Sequence, residues 1–188
     1  MKVLDLFCGM GGFSEGFAME GFDCTGIDIV NVGYPYQLVL ADVRTLDGKR
    51  FKDFDVIIGS PPCRNFTTIA FGLGFFRWKI PPNQEEGLKT VNAFLKIVEE
   101  AKPKYWIMEN VSGLCRYIRP PEITAWITQT KRRCFWGDFP NTILPTMINA
   151  LKISQINGKY KEWERAKIPF RISQAFAKAI KLEERGNG

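Results

Sequence analysis

The sequence predicts an α/β fold with a mostly parallel sheet, and three observations predict it. Short apolar segments alternate with helical ones through the first sixty residues. Those segments are apolar throughout, as in strands buried on both faces. Acids stand at or just beyond the ends of the first three, and a glycine-rich turn follows the first.

Lys2–Asp5 reads as the first strand. Asp5-Leu6-Phe7-Cys8-Gly9-Met10-Gly11-Gly12 is the turn. A short amphipathic helix follows, with Phe13 and Phe17 one turn apart and a stop near Gly21. Cys24–Ile29 is the second strand, closing on Asp28, and Leu38–Leu40 the third, with Asp42 just beyond. Val56–Gly59 is the fourth. Ligands of parallel sheets bind beyond the carboxyl ends of the strands, so Asp28 and Asp42 belong to the face where a cofactor would sit.

Pro61 to about Pro82 is a long stretch without periodicity, carrying Arg64, Arg77, Trp78 and Lys79 among phenylalanines. Loops of this length in compact domains usually serve function. Leu88, Val91, Leu95 and Val98 mark one face of a helix over Asn83 to Lys102, ended by Pro103. Tyr105–Met108 is a buried strand leading into Glu109-Asn110, and Ile123–Ile127 and Cys134–Trp136 read as further strands. Ser173 is expected to cap a last helix that runs to about Glu184.

Composition narrows the chemistry. The 188 residues suit one domain, with 45% hydrophobic and 24% charged residues. A net charge of +6 favours polyanionic partners slightly over a merely lysine-rich surface. There is no histidine, and Cys8, Cys24, Cys63, Cys115 and Cys134 are scattered without a C-x-x-C pair. A zinc site is therefore not expected, histidine-dependent hydrolases are excluded, and reduced thiols in the cytoplasm are expected. Acid–base chemistry must then use carboxylates, water or a thiol. No signal-like apolar run precedes the first strand.

Four segments carry candidate chemistry. The glycine turn lets backbone approach a ligand, or serves packing alone. Gly59-Ser60-Pro61-Pro62-Cys63 holds a cysteine on a rigid diproline at a strand end, where a nucleophile is useful and a buried inert thiol is not expected. Glu109, at another strand end, is either a proton donor raised by apolar surroundings or a surface glutamate. Gln129-Thr130-Lys131-Arg132-Arg133 places Lys131 and Arg133 on one face of an extended segment. The alternative there is a solvated basic edge.

Taken in order, these segments resemble the cytosine-5 DNA methyltransferase family, from residue 1 to about 113 and again near Thr124–Gly137. The resemblance implies a Rossmann-like fold that uses S-adenosylmethionine and no metal, acting on a cytosine flipped from double-stranded DNA. It matches Cys63 to the nucleophile that adds to carbon 6 and Glu109 to the carboxyl that protonates ring nitrogen 3. Arg133, with Lys131, matches the element that holds the base. Phe7, Gly9, Met10, Gly11, Gly12, Val43 and Pro61 would line the cofactor site. Asp28 would take the ribose hydroxyls, Ile29 would pack on the adenine and Asp42 would accept its amino group. Arg64, Asn65, Arg77 and Lys79 would meet nucleic acid.

The chain departs from the family in three places. The stretch between Val111 and Gln129 is short, which predicts that a strand or helix is missing. Lys131 stands where arginine is usual, and Arg171-Ile172-Ser173-Gln174 replaces a Gly-Asn motif. Residues 1–137 read as the catalytic and cofactor-binding unit, 138–169 as a much reduced target-recognition region, and 170–188 as a helix returning to the catalytic unit. So small a recognition region implies a short site, or contacts borrowed from another subunit or a second copy. An RNA methyltransferase of the same family and a catalytically silent DNA-binding module are the competing readings. A nicotinamide-dependent oxidoreductase has fold analogy alone behind it.

Overall fold

Seven strands form one sheet in the computed structural model, which describes residues 1–67, 82–126, 132–141 and 166–186. They are β1 (Lys2–Leu6), β2 (Asp23–Asp28), β3 (Gln37–Leu40), β4 (Val56–Gly59), β5 (Tyr105–Asn110), β6 (Ile123–Trp126) and β7 (Arg132–Asp138). The order is β3-β2-β1-β4-β5-β7-β6. The first five run parallel, and β7 is antiparallel to both β5 and β6. The chain steps outward from β1 to β3 and then returns to the other side of β1. That reversal opens a crevice at the carboxyl ends of β1 and β4.

Among the described residues three helices cover the sheet: α1 (Ser14–Met19), α2 (Gln84–Ala101) and α3 (Phe170–Gly186). Asn83 caps α2 by accepting the Glu86 N–H, and Lys102 ends it in the left-handed conformation just before Pro103. Phe94, Ile97 and Val91 of α2 pack with Leu4, Ile57 and Met108 on one face of the sheet. On the other face, Phe13, Phe17 and Phe176 of the α1 and α3 side pack with Val3, Ile107 and Phe135. The Phe176 ring meets Phe135 at 4.9 Å and Phe139 at 5.1 Å. Tilted and edge contacts of this kind each add about 0.5–1.5 kcal/mol beyond burial.

The expected final helix exists but begins earlier, at Phe170, so Ser173 lies inside it rather than at its cap. Its hydroxyl accepts the Gly16 N–H and donates to the Phe13 carbonyl, which joins α3 to α1. A Cβ at Gly16 would lie 2.2 Å from the Gln174 nitrogen, so only glycine permits that approach. The short stretch after Val111 is also explained. The sheet has seven strands, and the β5-to-β6 connection holds a single 3₁₀ turn (Ser112–Arg116). Among the described residues, no helix is long and apolar enough to cross a membrane.

Candidate active site

The glycine turn leaves β1 through backbone that few residues adopt. Phe7, Gly9 and Gly11 all have positive φ. Phe7 and Cys8 both donate their N–H groups to the Ile27 carbonyl, tying the turn to the end of β2. The Asp28 carboxylate accepts from Gly9 N at 3.0 Å and from Val30 N at 3.2 Å. Two of its roughly four acceptor sites are thus filled, and two remain for a diol. Ile29 beside it is 66% exposed, and Met10 is half-buried. This donor and acceptor set fits the ribose and adenine of a nucleoside cofactor.

Two of the predicted cofactor glycines have a packing reason of their own. A Cβ on Gly11 would meet Pro35 at 2.9 Å and Tyr34 at 3.2 Å, and one on Gly12 would meet Ile168 N at 2.9 Å. Their side-chain positions face this chain, so any ligand contact there comes from backbone. Val43 is buried under α2, and Asp42 begins the short 3₁₀ turn at Val43–Thr45. Both oxygens of Asp42 are held by Arg44, through its backbone N–H and guanidinium at 2.6–3.1 Å. These hydrogen bonds keep the Asp42 carboxyl below its ordinary pKa.

Beneath the turn lies a network that sequence reasoning missed. Ser14 donates to the buried Asp5 carboxylate at 2.7 Å, and the Tyr34 hydroxyl lies 2.7 Å from the same Ser14 oxygen. A hydroxyl has one proton, so while Ser14 serves an ionised Asp5, Tyr34 must donate to Ser14. Burial pushes Asp5 up to about 7, with the Asp28 charge adding to it and Ser14 opposing it. Burial also pushes up the Cys8 thiol and the Tyr34 hydroxyl, so neither is an anion at neutral pH.

A folded pKa above the unfolded value of about 3.9 makes the folded state hold the proton longer. Its contribution is intact below about pH 4 and is lost as pH rises to about 7. Wild-type protein should therefore lose roughly 2–3 kcal/mol at this group between pH 5 and pH 8, which Asp5→Asn should not lose. Urea titrations of both proteins at the two pH values read this, and parallel pH dependences would refute it.

The catalytic candidates converge across the carboxyl edge of β4, β5 and the start of β7. Cys63, half-buried, caps the short turn Arg64–Phe66 that follows the two prolines after β4. Asn110, fully buried at the end of β5, donates its side-chain N–H to the Pro61 carbonyl at 3.0 Å and accepts the Val111 N–H. This clamp sets the height of Cys63 over the sheet. A Cβ on Gly113 would lie 1.7 Å from the Phe66 carbonyl, so the same turn rests against backbone there.

Neighbouring residues of a strand point to opposite faces, so Glu109 turns away from Asn110 toward β7. There Arg133 donates to Glu109 Oε1 at 2.7 Å, with both side chains buried. Arg133 also reaches the carbonyls of Ala166 and Lys167, just before α3. Burial alone would lower the guanidinium's pKa, but the Glu109 charge, their hydrogen bond and Cys63 outweigh it, and the net direction is upward. Glu109 is thus buried against a cation, neither a surface glutamate nor in wholly apolar surroundings. Its Oε2 makes no hydrogen bond among the described residues.

Arg64 is exposed, and Asn65 ties the turn to α2 by accepting the Asn83 N–H at 3.0 Å. Lys131, Arg77 and Lys79 lie outside the described residues. The five cysteines are free thiols, and the described residues hold no cluster of three metal-ligating side chains.

Comparison with known proteins shows what the chain is similar to. The family model of the C-5 cytosine-specific DNA methylases matches residues 1–130. The chain is 31% identical over 131 residues to the Type II methyltransferase M.AgeI of Thalassovita gelatinovora, covering 61% of this chain and 28% of that protein. It is 33% identical over 127 residues to the Type II methyltransferase M.DdeI of Desulfomicrobium norvegicum, with the same 61% and 28% coverage. The Type II methyltransferase M.AquIA of Picosynechococcus sp. is 26% identical over 154 residues, covering 70% of this chain and 56% of that protein. The chain therefore spans between about a quarter and a little over half the length of these relatives. A prophage-encoded E. coli protein ascribed to the DNA modification methyltransferases superposes with a TM-score of 0.54 at 22% identity. The match covers 73% of this chain and 46% of that one, a likeness of fold.

Proposed function

The chain belongs to the C-5 cytosine-specific DNA methylase family, and from that premise we propose that it methylates carbon 5 of a cytosine flipped out of duplex DNA. The observation that carries the reading is the buried Arg133–Glu109 pair facing the clamped Cys63 turn, beside the Asp28 and glycine-turn cradle. S-adenosylmethionine, when bound, supplies an electrophilic methyl group on a sulfonium. Phe7, Gly9, Met10, Asp28 and Ile29 would hold it, with Gly11, Gly12, Val43 and Pro61 shaping the floor and Asp42 and Arg44 at the adenine end.

The protein's own part is to make carbon 5 nucleophilic. The Cys63 thiolate forms a sulfur–carbon 6 bond while a proton carried on Oε2 of Glu109 when the base is bound passes to ring nitrogen 3, so no unstabilised anion develops. Arg133 holds Glu109 through Oε1 and leaves Oε2 toward the base. After the methyl group is in place, water takes the carbon-5 proton, the sulfur–carbon bond breaks, and nitrogen 3 returns its proton to Glu109. A water or hydroxide in that role suits a chain without histidine.

In this reading residues 1–137 are the catalytic and cofactor-binding unit and 138–169 the reduced recognition region. The 170–188 segment returns to the catalytic unit, as the packing of α3 on α1 supports. A recognition region of that size favours a short target, or contacts added by a second copy or another subunit. The family, described as the C-5 cytosine-specific DNA methylases, favours DNA over RNA. The test is transfer of labelled methyl groups to mixed-sequence duplex DNA and, in parallel, to transfer RNA. Label on cytosine carbon 5 of DNA is expected. Label on transfer RNA alone would move the activity to RNA, and label on neither, with cofactor bound, would refute the reading for this chain acting alone.

A further inference from the structure

The β6–β7 hairpin carries a second feature at the catalytic edge. Trp126 closes β6 and Arg132 opens β7, and the two are register partners. The Arg132 guanidinium lies 4.7 Å from the Trp126 ring centre. Trp126 is 56% exposed and Arg132 is exposed as well. Among the described residues Arg132 makes no ion pair, unlike Arg44, Arg119 and Arg133.

Strand parity sets where this pair faces. Arg133 points to the α1 and α3 side, toward Glu109, so Arg132 and Trp126 point to the opposite side with Thr124 and Cys134. Cys134 is level with Asn110, whose side chain clamps the Cys63 turn. Two residues further along the hairpin, at about 3.4 Å per residue and one strand spacing aside, the pair stands on the order of 10 Å from that clamp. It rises beyond the edge where the reacting base would enter.

We infer that Arg132, held over the Trp126 ring, binds a backbone phosphate of the nucleic-acid strand that carries the reacting cytosine. A long flexible side chain costs entropy to hold in one geometry, and the indole face bears that cost before the ligand arrives. Arg132 is exposed while it rests over the ring, so its planar guanidinium has N–H groups open to phosphate oxygens. The chain's net charge of +6 has the sign a polyanion requires. The contact rests on the methyltransferase reading and adds an anchor on the side of the sheet opposite Glu109.

The experiment measures affinity for duplex DNA against salt concentration in the full chain, with S-adenosylmethionine affinity as control. Arg132→Ala should bind duplex about 3- to 10-fold more weakly and lower the log–log salt slope by about one. Trp126→Leu should weaken binding with the slope kept, because the charge remains, and Trp126→Phe should restore most of it. Cofactor affinity should not move in any variant, nor should turnover at saturating DNA. Wild-type affinity and slope in Arg132→Ala would overturn the contact, and so would a change confined to self-association, which would make the pair a protein interface. Transfer RNA bound with the same Arg132 dependence, and duplex not at all, would keep the phosphate contact and refute the DNA reading. A wild type that binds neither would refute both.

Discussion

Cys63→Ser should lose methyl transfer by at least about a thousandfold while folding and binding cofactor as the wild type does. A serine hydroxyl has a similar size but gives up its proton far less readily than a thiol, and the proposed chemistry needs an anionic sulfur to add to carbon 6. No histidine is present to deprotonate a serine. The clamp from Asn110 to Pro61 does not involve the Cys63 side chain, so the turn should keep its place. Duplex DNA carrying 5-fluorocytosine separates nucleophile from bystander. Fluorine cannot leave carbon 5 as a cation, so the wild type should accumulate a denaturation-resistant adduct and Cys63→Ser none. An adduct formed by the serine variant, or undiminished methylation, would remove Cys63 from the reaction.

Arg133→Leu should cost about 3–5 kcal/mol of stability and abolish activity. The variant would leave the Glu109 carboxylate buried on β5 without its guanidinium, and an uncompensated buried charge is among the most expensive defects in a fold. It would also release the carbonyls of Ala166 and Lys167, which Arg133 holds just before α3. The double variant Glu109→Leu/Arg133→Leu removes both charges and should recover most of the stability with none of the activity. Urea unfolding of the two singles and the double gives the coupling directly. A double variant no more stable than Arg133→Leu would mean that Arg133 acts through the carbonyls and not through Glu109.

Much of the fold was legible because its signals are local. Apolar runs with acids at or just beyond their ends identified β1 to β3 within one or two residues, and Val91, Leu95 and Val98 identified α2 between Asn83 and Lys102. Asp28 and Asp42 were placed at the carboxyl edge by topology alone, and both stand there. The positions of Cys63, on a turn after β4, and Glu109, at the end of β5, were legible because the diproline and the apolar run before each are local signals.

Pairing was not legible, because it joins residues far apart in sequence. Nothing local tells that Glu109 meets a guanidinium 24 residues on, or that Asn110 holds a carbonyl 49 residues back. Ser173 looked like a cap because serine so often is one. Its hydroxyl instead joins two helices across 157 residues, where Gly16 lets the backbones approach. Asp5 and Ser14 are nine residues apart, yet their contact with Tyr34 required the loop after β2 to fold back over the turn.

By itself, then, the sequence determined the parallel sheet, the edge at which chemistry would collect, and the residue types available for it. Short-range periodicity and backbone preferences suffice for those. Only the tertiary structure decided which charge meets which, how high Cys63 stands, and which face Arg132 presents. Those depend on strand register and helix contact, and one residue of slip would exchange Arg132 for Arg133 at the Glu109 carboxylate.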